Sequence, residues 1–182
     1  MDERHRQIAW VFGGPRSPGS RAVIIELGSG EDDATWMQQT AHAAGAPATV
    51  FVRRQGSSAR ARFFTSAREL PFCGHGALGA AAHLMRDGLS SIVLEATGQR
   101  PSVSRDGELL VLAHAGGTIS ELPMPAELLD ALGLERTQII RPLCVGSIGS
   151  PKAIVEIDSV RTLTSMAPNF GRLLDFDRSR RP

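Results

Sequence analysis

Within 68-RELPFCGHGALGAAAHLM-85, Cys73 and His75 stand two apart, beside Gly74, Gly76 and Gly79. An imidazole exchanges protons near neutral pH without a cofactor, and a thiol at a helix start is drawn toward its thiolate. Where a helix begins, unpaired N–H groups and a partial positive charge suit a carboxylate. The same stretch has a second reading, because its back half is almost all glycine, alanine and aliphatic residues. It is then a close-packed core helix, with Gly74 and Gly76 admitting close backbone approach. A metal is not expected: Cys73 and His75 lack zinc spacing, and His83 and Cys144 lie far along the chain.

The elements around this corner follow from periodicity. The runs 8-IAWVF-12 and 22-AVIIEL-27 predict two strands about the Gly/Pro-rich loop 13-GGPRSPGSR-21, which lacks nucleotide-cradle spacing. In 31-EDDATWMQQTAHAAG-45, acids at the front, glycine at the end and Trp36, Met37, Thr40 and Ala41 at helical spacing predict a helix. His42 falls on its polar side. Next, 48-ATVFVRR-54 and 60-RARFFTS-66 predict a strand pair, then a helix over 76–86 with His83 buried at its far end. Strands follow at 91-SIVLEAT-97, 101-PSVSR-105 and 108-ELLVLAH-114, the last two joined by a DG turn. A helix that is nearly all glycine and alanine buries little area of its own, but lets strands come close. The expected fold is therefore α+β: a mixed, strongly curved sheet wrapped around one central helix.

After 115-AGGT-118 the pattern restarts, with a short helix at 125-PAELLDALGL-134. Two strands are expected within 137–157 and a broken helix within 159–176, with Met124 and Met166 as packing residues. The pair 18-PGSRAVIIEL-27 and 149-GSPKAIVEID-158 reads as an internal repeat. Residues 1–118 are expected to form a first domain, and 119–182 a linker with an incomplete second one.

The 182 residues carry 20 basic and 19 acidic side chains, too even a balance for a nucleic-acid binder driven by bulk charge. The basic stretch 53-RRQGSSARAR-62 reads as a solvated hairpin connection. No run approaches the about 18 apolar residues of a membrane span, and MDERHRQ has no signal core, so the cytoplasm is the expected location.

The segment 62-RFFTSARELPFCGHGALGAAAHL-84 resembles the signature of the PhzF-like (phenazine biosynthesis) proteins, relatives of diaminopimelate epimerase. Looser similarity runs through 8-IAWVFGG-14, 22-AVIIEL-27 and 145-VGSIGSPKAIVEI-157. The resemblance implies two similar domains with a cleft between them. It also implies cofactor-free isomerisation or epimerisation of a small carboxylate or amino-acid-like metabolite. Catalytic candidates are then His75, Cys73 and Glu69; Gly74, Gly76 and Ala77 are candidates for substrate binding. Two departures matter. The family's Gly-Asn-Pro turn is replaced by 19-GSR-21, and its main acid falls at Ala48, whose methyl group cannot move a proton. A homodimer is expected to complete the cleft. The alternative is a non-catalytic paralogue that keeps the fold and binds a ligand or partner.

Overall fold

The computed structural model describes residues 6–14, 16–28, 30, 32–148 and 151–179. Pro15 of the first loop, Glu31 before the first helix and the Gly149–Ser150 start of the second repeat copy lie outside the described residues. The chain forms two compact units, one reaching to Gly116 and the other starting at Gly117, with Ile148 grouped with the first.

In the first unit, β1 (Arg6–Val11) and β2 (Ser20–Glu26) form an antiparallel pair. Helix α1 (Ala34–Ala44) then crosses to β3 (Ala48–Gln55), which lies parallel to β2. Asp33 caps α1 by accepting from the Thr35 N–H at 2.8 Å, and Gly45 ends it at φ +56°, where glycine carries no Cβ penalty. β3 turns through Gly56 into antiparallel β4 (Ser58–Phe64), within the stretch 53-RRQGSSARAR-62 expected to be a hairpin connection. A two-residue strand, β5 (Glu69–Leu70), adds to β4. Helix α2 (Gly74–Leu84) is the second crossover, leading to β6 (Ser91–Glu95) parallel to β4. β7 (Ser102–Asp106) and β8 (Leu109–Ala113) complete the order β1-β2-β3-β4-β6-β7-β8.

Parallel neighbours need a crossover, and crossovers are nearly always right-handed. The β3–β4 hairpin reverses the chain between the two crossovers, so one hand puts the two helices on opposite faces of the sheet. The side chains divide accordingly. Val50, Phe63, Ile92, Leu94 and Val103 pack with Ala77, Ala80, Ala81 and Leu84 of α2. Val23, Ile25, Phe51 and Phe64 pack with Met37 and Ala41 of α1. The sheet curls so far that α2 touches β1, β2 and β3 on one side and β6, β7 and β8 on the other. Its small residues make this possible: a Cβ on Gly79 would lie 3.1 Å from that of Ala22 and 3.4 Å from that of Ala9. The curved mixed sheet around a central helix is thus the fold adopted.

α2 begins two residues before the expected start, because Cys73 in an extended conformation supplies the cap. It ends two residues early as well, where the Met85 and Gly88 N–H groups turn back on Ala81 and Met85.

The second unit has a three-stranded antiparallel sheet, with β10 (Leu143–Ser147) between β9 (Thr118–Leu122) and β11 (Lys152–Ile154). Helices α3 (Ala126–Leu132), α4 (Val160–Ser165) and α5 (Phe170–Ser179) accompany it. Met124, Leu128, Leu129, Leu134 and Leu143 form its core, with Met166 packed against them.

Candidate functional site

His75 is the second residue of α2, half-buried, with Nε2 3.1 Å from the Ser20 carbonyl oxygen. A carbonyl only accepts, so Nε2 donates its proton there, and in the neutral ring the lone pair is on Nδ1. The loop between β1 and β2 fixes that carbonyl. Gly14 and Ser17 pair through both backbone groups, at 2.8 and 3.1 Å, and the Gly19 N–H bonds to Ser17 Oγ at 3.3 Å. Gly19 has φ +85°, and a Cβ there would sit 2.4 Å from the Val11 carbonyl oxygen. Phe12 is also left-handed, at φ +60°, and its ring centroid lies 6.3 Å from that of His75. The chain thus accepts an uncommon conformation beside the imidazole.

Cys73 is the N-cap of α2, and its Sγ accepts from the Gly76 N–H at 3.4 Å. The Ala77 N–H bonds to the Cys73 carbonyl at 2.8 Å. Gly76 and Ala77 are both buried; a Cβ on Gly76 would meet Val50 Cγ2 at 2.8 Å. The amides of Gly76 and Ala77 are therefore occupied, while helix geometry leaves those of Gly74 and His75 without a partner inside the helix.

Glu69 lies elsewhere. It stands opposite Phe64 in the β4–β5 register, on the α1 face of the sheet, whereas Leu70 opposite Phe63 points to the α2 face. Both its oxygens accept from Arg62 at 2.8 Å, and Arg62 also reaches Asp32 at 3.3 Å. The Glu69 hydrogen bond raises the Arg62 pKa against the opposing pull of burial. So the structure brings Cys73, Gly74 and His75 together and sets Glu69 apart with Arg62. Ala48, paired with Ala22, is sealed into the α2-side core at 1% exposure.

A second histidine packs against Phe72, the residue before the N-cap of α2. In β8, Leu110 and Leu112 turn toward the core, and Leu112 Cδ2 would lie 3.4 Å from a Cβ on Gly74. His114 continues that alternation one step past the strand, with its ring centroid 4.9 Å from that of Phe72. Nδ1 contacts the Ala115 carbonyl and Nε2 the side-chain oxygen of Gln99.

At the other end of α2, His83 Nε2 donates to Glu26 Oε2 at 3.0 Å, and Arg54 Nε donates to Glu26 Oε1 at 3.0 Å. Arg54 also caps the helix through the Leu84 carbonyl at 2.9 Å. Burial opposes ionisation of Glu26, but the His83 and Arg54 bonds and the Arg54 charge outweigh it, and its pKa is lowered. Glu26 thus stabilises the fold fully above the ordinary carboxylate range, and this is lost as the pH falls through its lowered value. Glu26→Gln should lower the melting temperature at neutral pH, and the gap from wild type should close on acidification. A gap that does not change with pH would remove the charge of Glu26 from this account. His42 is exposed, with Nδ1 3.1 Å from the Ser66 carbonyl. Among the described residues, no three His, Cys, Asp or Glu side chains gather as a metal site.

The model of the PhzC-PhzF family, phenazine biosynthesis-like protein, matches residues 12–180. The trans-2,3-dihydro-3-hydroxyanthranilate isomerase of Pseudomonas aeruginosa is 32% identical over 148 residues, 77% of this chain and 52% of that protein. A PhzF-family crystal structure from Bacillus anthracis superposes with a TM-score of 0.68 at 22% identity, over 91% of this chain and 58% of that one. The structure of a predicted epimerase from Pseudomonas aeruginosa gives 0.67 at 24% identity, over 87% and 61%. The chain therefore spans between about half and three fifths of the length of these relatives. With the family pattern running through nearly all of its residues and the same fold around α2, the chain belongs to the PhzC-PhzF, phenazine biosynthesis-like family.

Proposed function

We propose that the chain is a cofactor-independent isomerase that moves a proton within a small carboxylate or amino-acid-like metabolite. The observation that carries this is the His75 imidazole, held by the Ser20 carbonyl through Nε2 with Nδ1 left to exchange a proton. The Gly74 N–H at the start of α2 supplies a donor for the substrate carboxylate, in the partial positive field of the helix end. Cys73 shapes that end as its cap, and Glu69 steadies the neighbouring hairpin through Arg62. The isomerase that is 32% identical supports the reaction class and suggests a cyclic amino acid as one candidate substrate.

The working unit is a homodimer in the cytoplasm. Support for self-association comes from Ile8 and Trp10, exposed at 48% and 57% on the edge strand β1. Among the described residues, no helix is long and apolar enough to cross a membrane. A second reading, a ligand-binding protein without catalysis, is favoured by the buried methyl group of Ala48 at the place of the family's acid.

The two readings part in D₂O. The chain is incubated with trans-2,3-dihydro-3-hydroxyanthranilate and a panel of small amino and hydroxy acids, and deuterium in the recovered compounds is measured by mass spectrometry. Isomerase activity predicts incorporation with at least one compound, falling about a hundredfold in His75→Ala. Binding without incorporation would establish the second reading instead.

A further inference from the structure

In the first unit, Phe51, Phe63, Phe64 and Phe72 are all buried. Phe12 is the exception, exposed at 73%, and among the described residues it is also the one non-glycine with a positive φ, +60°. A bulky side chain is strained in that conformation, and such strain persists only where the surrounding structure fixes it. Glycine would make the same turn without strain, and the next two positions, Gly13 and Gly14, are glycines. The chain nonetheless spends the strain on an aromatic ring.

The conformation decides where that ring goes. Along β1, Ala9 and Val11 pack toward α2, whereas Ile8 and Trp10 are exposed on the other face. Continued alternation would send Phe12 outward with Ile8 and Trp10. The left-handed turn breaks the alternation, and the Phe12 ring centroid lies 6.3 Å from that of His75, the planes tilted by 38°. The loop behind it is held by the Gly14–Ser17 backbone pair and by Gly19, where a Cβ would lie 2.5 Å from the Gly13 nitrogen. An exposed aromatic face thus stands beside the imidazole, set there by the backbone.

We infer that Phe12 is a specificity-determining residue whose ring is the platform for a flat, unsaturated ring of the substrate. The site then takes a cyclic amino acid in preference to an open-chain one. The inference rests on the reading of the α2 corner as the reacting site. Aromatic rings attract offset or edge-on partners at centroid separations of about 4.5–7 Å, and an exposed ring gains by being covered. A ring laid against Phe12 is held next to His75. An open-chain amino acid meets the same imidazole and helix start without that contact.

The test compares anthranilate with β-alanine, which has the same spacing of amino and carboxylate groups but no ring. In calorimetric titrations the whole chain should bind anthranilate more tightly. Phe12→Leu keeps apolar bulk without an aromatic face; it should weaken anthranilate about tenfold and leave the weaker binding of β-alanine unchanged. Phe12→Tyr should retain the preference. Equal weakening of both compounds would make Phe12 a prop of the loop, and an unchanged anthranilate affinity would remove it from the site; either result overturns the inference. A second measurement needs no variant. In the unmodified chain, anthranilate should shift the ¹⁵N signals of His75 and show proton cross-relaxation between its ring and that of Phe12. A His75 shift without the Phe12 contact overturns the role of Phe12 and leaves the corner as the ligand site. No His75 shift with either compound overturns both.

Discussion

Gly19→Ala should cost about 4 kcal/mol and release His75 from its carbonyl partner. Two terms add: a residue with a side chain held at positive φ costs about 1–3 kcal/mol, and overpacking a close contact costs a similar amount. At Gly19 the added Cβ would lie 2.4 Å from the Val11 oxygen, 2.5 Å from the Gly13 nitrogen and 2.9 Å from the Gly13 Cα. All three are backbone atoms, so no side-chain rotation relieves the clash, and the loop must move. Ser20 moves with it and takes its carbonyl from His75 Nε2. Against a typical stability of about 5–15 kcal/mol, such a loss is large. Urea unfolding followed by tryptophan fluorescence reads it cleanly, since Trp10 and Trp36 both lie in the unit that holds the corner. The midpoint should fall with little change in slope. A midpoint equal to wild type would show that the loop is not held as described.

The second large effect is expected inside the sheet. Gly76→Val should destabilise by about 3 kcal/mol, at the upper end of what overpacking costs. Its Cβ would start 2.8 Å from Val50 Cγ2 and 3.1 Å from Phe63 Cδ1, and two further methyl groups must fit beyond it. Phe63 is fixed in turn by Phe72, edge to face at 5.6 Å, so the helix is pushed away from β3 and β4. Trimming the obstacle gives an internal control. Val50→Ala alone leaves a cavity and is destabilising, yet added to Gly76→Val it should restore about 1 kcal/mol, because the new methyl groups occupy the vacated space. Strict additivity of the two substitutions would mean that Gly76 and Val50 do not meet.

The sequence made the main architecture legible because its signals were local. Asp33 and Gly45 mark the ends of α1, and Gly107 at φ +58° marks the DG hairpin between β7 and β8. The glycine and alanine content of α2 pointed to close encirclement, and the contacts of Gly76 and Gly79 give the reason. What escaped lacked such signals. Strand β9 is exposed along its whole length, so TISEL shows no alternation, and its partner β10 begins more than twenty positions later. The sequence pattern starts α2 two residues late because Gly74 is a poor helix former, and the cap on Cys73 rests on a sulfur rather than the usual oxygen. At the candidate site, Cys73 and His75 could be read because they are neighbours in sequence. Ser20 could not, since it contributes a backbone carbonyl, which no side-chain pattern marks.

The encirclement of α2 also bears on how the chain folds. Every hydrogen bond within the helix is local, but its packing surface is assembled from strands as remote as β1 and β8, at opposite ends of the first unit. A glycine- and alanine-rich segment has little apolar area with which to hold a helical nucleus by itself. The loop-closure entropy of bringing distant strands together must therefore be overcome before the helix is rewarded. Such a topology folds slowly for its size and keeps its half-wrapped edges open for longer. The corner carrying His75 then becomes one of the last parts of the unit to take shape.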